Sequence, residues 1–216
     1  MMDNYASDEE LVENIKKWWK ANGLSIIIGL AIGLAAIFGW RYWRSYQDHQ
    51  AEAASQRYEA LSQAVEAGKT AEANEQGEAL ANEFSRSPYT LLAMLQLARL
   101  AVQEGDNAVA AERLRWVVEH ADRQELKDIA RLRLARVLLA LNQLAEAETQ
   151  LEQINSAVFY AEREELKGDL YLARAEPDKA RVAYGAALAA AGAGGQNALL
   201  QMKLDNLPPA PPAGGQ

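Results

Sequence analysis

The sequence has no cysteine and only two histidines, His49 and His120, in 216 residues. The missing thiols exclude disulfides, thiolate metal sites and a cysteine nucleophile, and two imidazoles are too few for a histidine-rich metal site. An oxidising compartment poses no difficulty for such a chain. Proline is scarce: four of its six copies fall in the last nine residues, so the interior is nearly free of helix breakers. β-Branched runs are confined to one segment, which argues against an all-β fold. Positive charge is in deficit as well. The net charge is −8, whereas binding nucleic acid requires a basic patch, so no nucleic-acid partner is expected. Half the residues are apolar, yet mean hydropathy is −0.26, unlike a polytopic membrane protein.

The charge is unevenly divided. Residues 1–44 carry five acids and five bases, so residues 45–216 hold all of the −8. Between them lies Leu24–Trp40, LSIIIGLAIGLAAIFGW, 17 residues without a charge. As a helix it covers about 25 Å, near the lower limit for crossing a hydrocarbon core. Trp18 and Trp19 precede it, and Trp40, Tyr42, Trp43 and Tyr46 close it. Rings at both ends match the aromatic belts of a bilayer. A cleaved signal peptide fits less well, because its leading region would hold five acids and its apolar core is too long. An uncleaved anchor in the lipid bilayer is expected. Lys16, Lys17 and Lys20 before the span against Arg41 and Arg44 after it favour a cytoplasmic N-terminus by the positive-inside rule. Gly29 and Gly33, with Ala31/Ala35 and Ala35/Gly39, repeat a four-residue spacing of small residues that permits close approach of another membrane helix.

Before the span, Ser7-Asp8-Glu9-Glu10 has the pattern of a capping box, and Leu11, Ile15, Trp18 and Trp19 follow at helical spacing. A short amphipathic helix over 8–21, ending near Asn22-Gly23, is expected along the inner membrane face. After the span no breaker occurs until Gly68, so the membrane helix is expected to continue through residues 45–67. Turn signals then divide the chain into helices over 88–104, 107–120, from the Asp122-x-x-Glu125 capping box to 141, 144–153, 158–174, 178–191 and 197–206. Gly192, Gly194 and Gly195 interrupt the last pair, and the Pro- and Gly-rich tail is expected to be disordered.

The helices pair, and the pairs repeat. A small residue, a turn seven positions later, then an alanine followed by large apolar residues recur as Ala98, Gly105, Ala110, Leu114, Val117. They recur again as Ala135, Asn142, Ala147, Leu151, Ile154, and as Gly168, Ala175, Ala180, Tyr184, Ala187. This is tetratricopeptide spacing, in which small residues let the two helices of a hairpin touch. A degenerate first unit uses Leu61, Gly68, Ala73 and Leu80. The expected fold is therefore all-α: a single transmembrane helix followed by a tetratricopeptide-like α-solenoid. The expected boundaries are 1–22 cytoplasmic, 23–44 transmembrane, 45–207 repeat domain and 208–216 tail.

Chemistry is hard to find. There is no phosphate loop, no His-Glu-x-x-His, no Gly-x-Ser-x-Gly and no dinucleotide fingerprint. Glu162, Glu164 and Glu165 read as solvated charge, and both histidines as polar surface residues. No enzymatic activity, cofactor, metal or small-molecule substrate is expected. First helices of such hairpins line a concave face. There the sequence places Leu92, Leu95, Arg99, Val102 and Ile129, Leu132, Arg136, Leu139, an apolar strip with one arginine per repeat; the next unit has Glu162, Glu165, Asp169 and Leu172 instead. Such a strip either forms a groove for a peptide, with arginines catching carboxylates or carbonyls, or is covered by another helix of this chain.

Taken in order, the acidic start, Lys16-Lys17-Trp18-Trp19, the apolar span closed by Gly39-Trp40-Arg41-Tyr42-Trp43, Leu132-Arg133-Leu134-Ala135-Arg136-Val137 and the closing Met202-Lys203-Leu204-Asp205-Asn206-Leu207 resemble the YfgM family. These are tetratricopeptide-like ancillary subunits of the bacterial SecYEG translocon. The resemblance implies a single-pass inner-membrane protein with a periplasmic domain. Its implied partners are SecYEG and the membrane-anchored periplasmic chaperone PpiD, and its implied role is to help proteins emerging from the channel, without catalysis. A periplasmic scaffold for another envelope assembly would use the same anchor and fold.

Overall fold

The computed structural model describes residues 8–191 and 197–208. Ser7 of the first capping box, the interruption at Gly192, Gly194 and Gly195, and the tail after Pro208 lie outside the described residues. The chain divides into two units, Met1–Glu52 and Ala53–Gln216.

The first unit consists, among its described residues, of one helix, α1 (Asp8–Glu66), whose end belongs to the second unit. By length and composition α1 can cross a membrane: its best 18-residue window has a mean hydropathy of 2.2 and is almost wholly exposed. The helix does not end at Asn22-Gly23 as its turn-like pair suggests. Asn22 stays helical and donates Nδ2–H to the Trp18 carbonyl at 3.1 Å. Gly23 seats an indole: a Cβ added there would lie 3.1 Å from Trp19 Cε2. A glycine in a helix can thus serve close packing as well as termination.

In the second unit the end of α1 is followed by α2 (Thr70–Glu83), α3 (Pro88–Gln103), α4 (Asn107–His120), α5 (Gln124–Ala140) and α6 (Leu144–Glu152). A 3₁₀ turn (Ala157–Phe159), α7 (Tyr160–Ala173), α8 (Pro177–Ala191) and α9 (Asn197–Asp205) complete it. Local chemistry accounts for several starts. Ser87 accepts from the Tyr89 amide with Pro88 in the first turn, and Asp106 accepts from the Val109 amide at 3.1 Å, satisfying amides that lack helical partners. The Asp122 capping box does not form. Buried Ala121 leaves α4 in an extended conformation and carries the chain past Asp122, so Arg123 becomes the uncapped N-cap of α5.

Four hairpins share one turn. Gly68, Gly105, Asn142 and Ala175 have φ of +69°, +83°, +57° and +58°. Each donates its amide three residues back, and the next residue donates five back, as in Gly105 to Val102 (3.1 Å) and Asp106 to Ala101 (2.8 Å). This is the Schellman ending of a helix. The following residue is then the N-cap of the second helix, so one tight turn closes one helix and opens the next. The degenerate first unit closes in the same way, with Leu61, Ala73 and Leu80 all buried.

Packing within the hairpins follows a rule of complementary volume. Seven residues before each turn residue stand Leu61, Ala98, Ala135 and Gly168; nine after it stand Gly77, Leu114, Leu151 and Tyr184. All eight are buried. A Cβ on Gly168 would lie 2.3 Å from Tyr184 Cε1, and one on Gly77 would lie 2.2 Å from Leu97 Cδ1 of the next hairpin. Where one helix brings bulk, its partner surrenders it, as dense packing requires. Ion pairs tie the helices together: Arg57–Glu83 at 3.0 Å joins α1 to α2, Arg115–Glu146 at 2.7 Å joins α4 to α6, and Arg174–Glu148 at 2.6 Å joins the end of α7 to α6. Buried Thr90 of α3 donates to the Phe84 carbonyl at 2.7 Å, fixing the exit of α2.

Candidate partner-binding groove

The first helices of the second and third hairpins, α3 and α5, border a cavity of about 400 Å³. Leu95, Arg99 and Val102 project from α3, and Arg133, Arg136 and Val137 from α5; Leu114 of α4 supplies the floor. Of the residues expected from the sequence, Leu95, Arg99, Val102 and Arg136 line this cavity. Leu92 lies on α3 outside it and is 43% exposed. Ile129 and Leu139 are half-buried, and Leu132 is 8% exposed within the core. Leu95, at 9%, also belongs to the core and shows only its edge. The strip is thus open along α3 and largely internal along α5. Sequence reasoning missed Arg133, whose position three residues before Arg136 puts both on one face of α5.

Electrostatics sets this groove apart. In the second unit most arginines meet a carboxylate, including Arg113 with Glu78, Arg131 with Asp128 and Arg163 with Glu164. Glu146 and Glu148 are held below the usual carboxylate range by hydrogen bonds from Arg115 and Arg174, and the two guanidinium pKa values rise correspondingly. Arg99, Arg133 and Arg136 are exposed and, among the described residues, have no hydrogen bond or ion pair.

The fourth hairpin is different. Asp169 stands six residues before its turn, the position of Arg99 and Arg136 in theirs. It accepts from the Tyr184 hydroxyl at 2.6 Å and from Lys203 Nζ at 2.8 Å, and Lys203 also reaches Glu165 at 2.7 Å. Burial works against the Lys203 ammonium, but its bonds to Asp169 and Glu165 outweigh this and raise its pKa. Burial, then the bond to Asp169, drives the Tyr184 phenol well above its ordinary range. Lys203 comes from α9, whose Leu200, together with Leu207 just beyond the helix, packs on Ala180, Tyr184 and Ala187 of α8. α9 follows α8 as α3 follows α2 and α5 follows α4. It caps the stack as a half-hairpin and leaves the α3–α5 groove open.

This architecture has known relatives. A family model described as a tetratricopeptide repeat-like domain matches residues 16–209. A protein of Haemophilus influenzae named "Ancillary SecYEG translocon subunit" is 31% identical over 201 residues, spanning 93% of this chain and 97% of its own. The chain belongs to the YfgM family. Proteins bearing the same name in Aggregatibacter actinomycetemcomitans and Escherichia coli K12 are 30% and 31% identical, over 93% and 95% of this chain and 97% and 99% of theirs. No solved structure matches the chain significantly. The match to these YfgM relatives includes the apolar part of α1 as well as the hairpins, so membrane-capable helix and repeat domain belong to one family architecture.

Proposed function

We propose that this protein is a non-enzymatic accessory subunit of the SecYEG translocon. The observation that carries the reading is likeness along nearly the whole chain to three proteins of that name. In this reading residues 1–22 lie on the cytoplasmic side, residues 23–44 cross the inner membrane once, and residues 45–207 form a periplasmic repeat domain. Small residues Gly29 and Gly33, whose surroundings are open, offer a close approach to a membrane helix of the channel or of the chaperone PpiD. Anchoring beside the channel exit raises the local concentration of the α3–α5 groove near PpiD and emerging chains, so weak contacts suffice. Leu92, Leu95, Arg99, Val102, Ile129, Leu132, Arg136 and Leu139 mark the partner-binding strip, with its accessible part on α3 and at Arg136 of α5.

Photocrosslinking from positions flanking Gly29 and Gly33, followed by identification of the partners, tests the reading. Channel subunits and PpiD are expected. Recovery of other envelope proteins without any channel subunit would instead favour a scaffold for a different assembly. Protease protection in intact cells against spheroplasts tests the side: the repeat domain should be cleaved only after the outer membrane is opened.

A further inference from the structure

Along the first helices, the position six residues before each turn reads Ser62, Arg99, Arg136 and Asp169. At one end of this row the charge is neutralised within the chain, by Lys203 on Asp169. In the middle it is not. Two like charges stand on the first helices of successive hairpins and face one apolar cavity, with Arg133 beside them and no carboxylate bonded to any of the three among the described residues. The protein has an excess of eight negative charges and pairs most of its other arginines, so leaving these three unpaired invites an anionic partner.

We propose that the α3–α5 groove receives an amphipathic acidic segment of a partner protein, with a carboxylate held by Arg99 and Arg136 and apolar side chains seated on Val102 and on the edges of Leu95 and Val137. This deepens the partner-binding reading above and rests on it. Guanidinium groups suit the carboxylate because their planar fork donates two parallel hydrogen bonds. Apolar surface extends the site beyond the anion: Leu92 and Val102 are 43% and 45% exposed, and the ten helical steps from one to the other span about 15 Å of α3. That length fits about three turns of a docked helix; a lone anion or lipid headgroup would have no use for it. The chain has little to place there itself. Residues 192–196 and 209–216 contain no Asp or Glu, and residues 1–7 contain only Asp3, ahead of the apolar span.

The test uses the full chain in its native membrane with a photoreactive residue in place of Val102. Captured segments should carry Asp or Glu within one helical turn of the crosslinked site. Capture should fall at least tenfold in Arg99→Glu/Arg136→Glu and recover when the partner's acidic residue is changed to Arg. Should the reversed chain lose helical circular dichroism, Arg99→Gln/Arg136→Gln is read in its place. Crosslinks to lipid, to a second copy of this chain or to segments without carboxylates would overturn the proposal. So would capture indifferent to the arginines, or no capture at all. Crosslinks from the membrane helix to channel subunits are scored separately: if they persist while groove capture fails, the groove assignment falls and the translocon reading stands.

Discussion

Exchanging bulk across one hairpin offers a sharp test of the packing rule. Gly168→Ala would normally stabilise a helix interior by about 1 kcal/mol. Here the new methyl would sit 2.3 and 2.4 Å from Tyr184 Cε1 and Cδ1. That ring is fully buried and its hydroxyl is anchored to Asp169 at 2.6 Å, so it cannot swing away cheaply. Overpacking of this kind costs about 1–3 kcal/mol, so a net loss of up to about 2 kcal/mol is expected. Tyr184→Leu alone forfeits ring volume and a hydrogen bond to a carboxylate, about 2–3 kcal/mol. Combined, the two changes install the Ala/Leu pairing already present at Ala98/Leu114 and Ala135/Leu151, so the double variant should be more stable than the sum by about 1–2 kcal/mol. Gly185→Ala, on the same hairpin with open space around it, should stabilise by up to about 1 kcal/mol. The measurement is urea-dependent pulse proteolysis of the full chain in mild detergent, arranged as a double-mutant cycle. Additivity to within about 0.5 kcal/mol would show that the pair does not act as a unit and would refute the rule.

The turns supply a second prediction: Ala175→Gly, at a φ of +58°, should stabilise by about 1 kcal/mol, and Gly105→Ala, at +83°, should destabilise by a similar amount, read by thermal melts. Acid supplies a third. Glu146 and Glu148 have lowered pKa values, so the stability they lend is present above about pH 4.5 and lost as pH falls through their folded values. Because both pairs remain about a third open to solvent, which screens them, each should contribute less than about 1 kcal/mol. The loss in urea midpoint between pH 5 and 3 should shrink in Arg115→Gln/Arg174→Gln. Finally, Lys203→Ala should accelerate amide exchange of α9 by about tenfold while leaving α4 and α5 unchanged. It removes the ammonium that bonds Glu165 and Asp169, an interaction of about 1.5–3 kcal/mol when charged groups take part.

Much of the scaffold was readable because it is written locally. Asn142 carried a turn signal of its own, whereas Ala175 is an ordinary residue that spacing alone identified as a turn, and both adopt the left-handed conformation. The boundaries of α4 agree with the sequence pattern because Asp106 caps its start. Local reading failed where a neighbouring side chain overrides a familiar signal. Gly23 has the look of a helix end but accommodates Trp19, and Asp122 has the look of a cap but is bypassed by the burial of Ala121. The candidate strip was half legible for a similar reason. Leu132 and Leu139 share the helical face of Arg136, but packing against neighbouring hairpins draws them into or against the core.

By itself the sequence determined the apolar span, the all-helical character and the positions of the four turns, since these depend on hydropathy and backbone preference within a few residues. Only the tertiary structure decided which charges are spent and which remain. Arg115 finds Glu146, Arg174 finds Glu148 and Lys203 finds Asp169 across 31, 26 and 34 residues of chain. Arg99, Arg133 and Arg136 find no such partner among the described residues. Coulomb and hydrogen-bond energies fall with distance in space, and hairpin stacking sets that distance, whatever the separation along the chain.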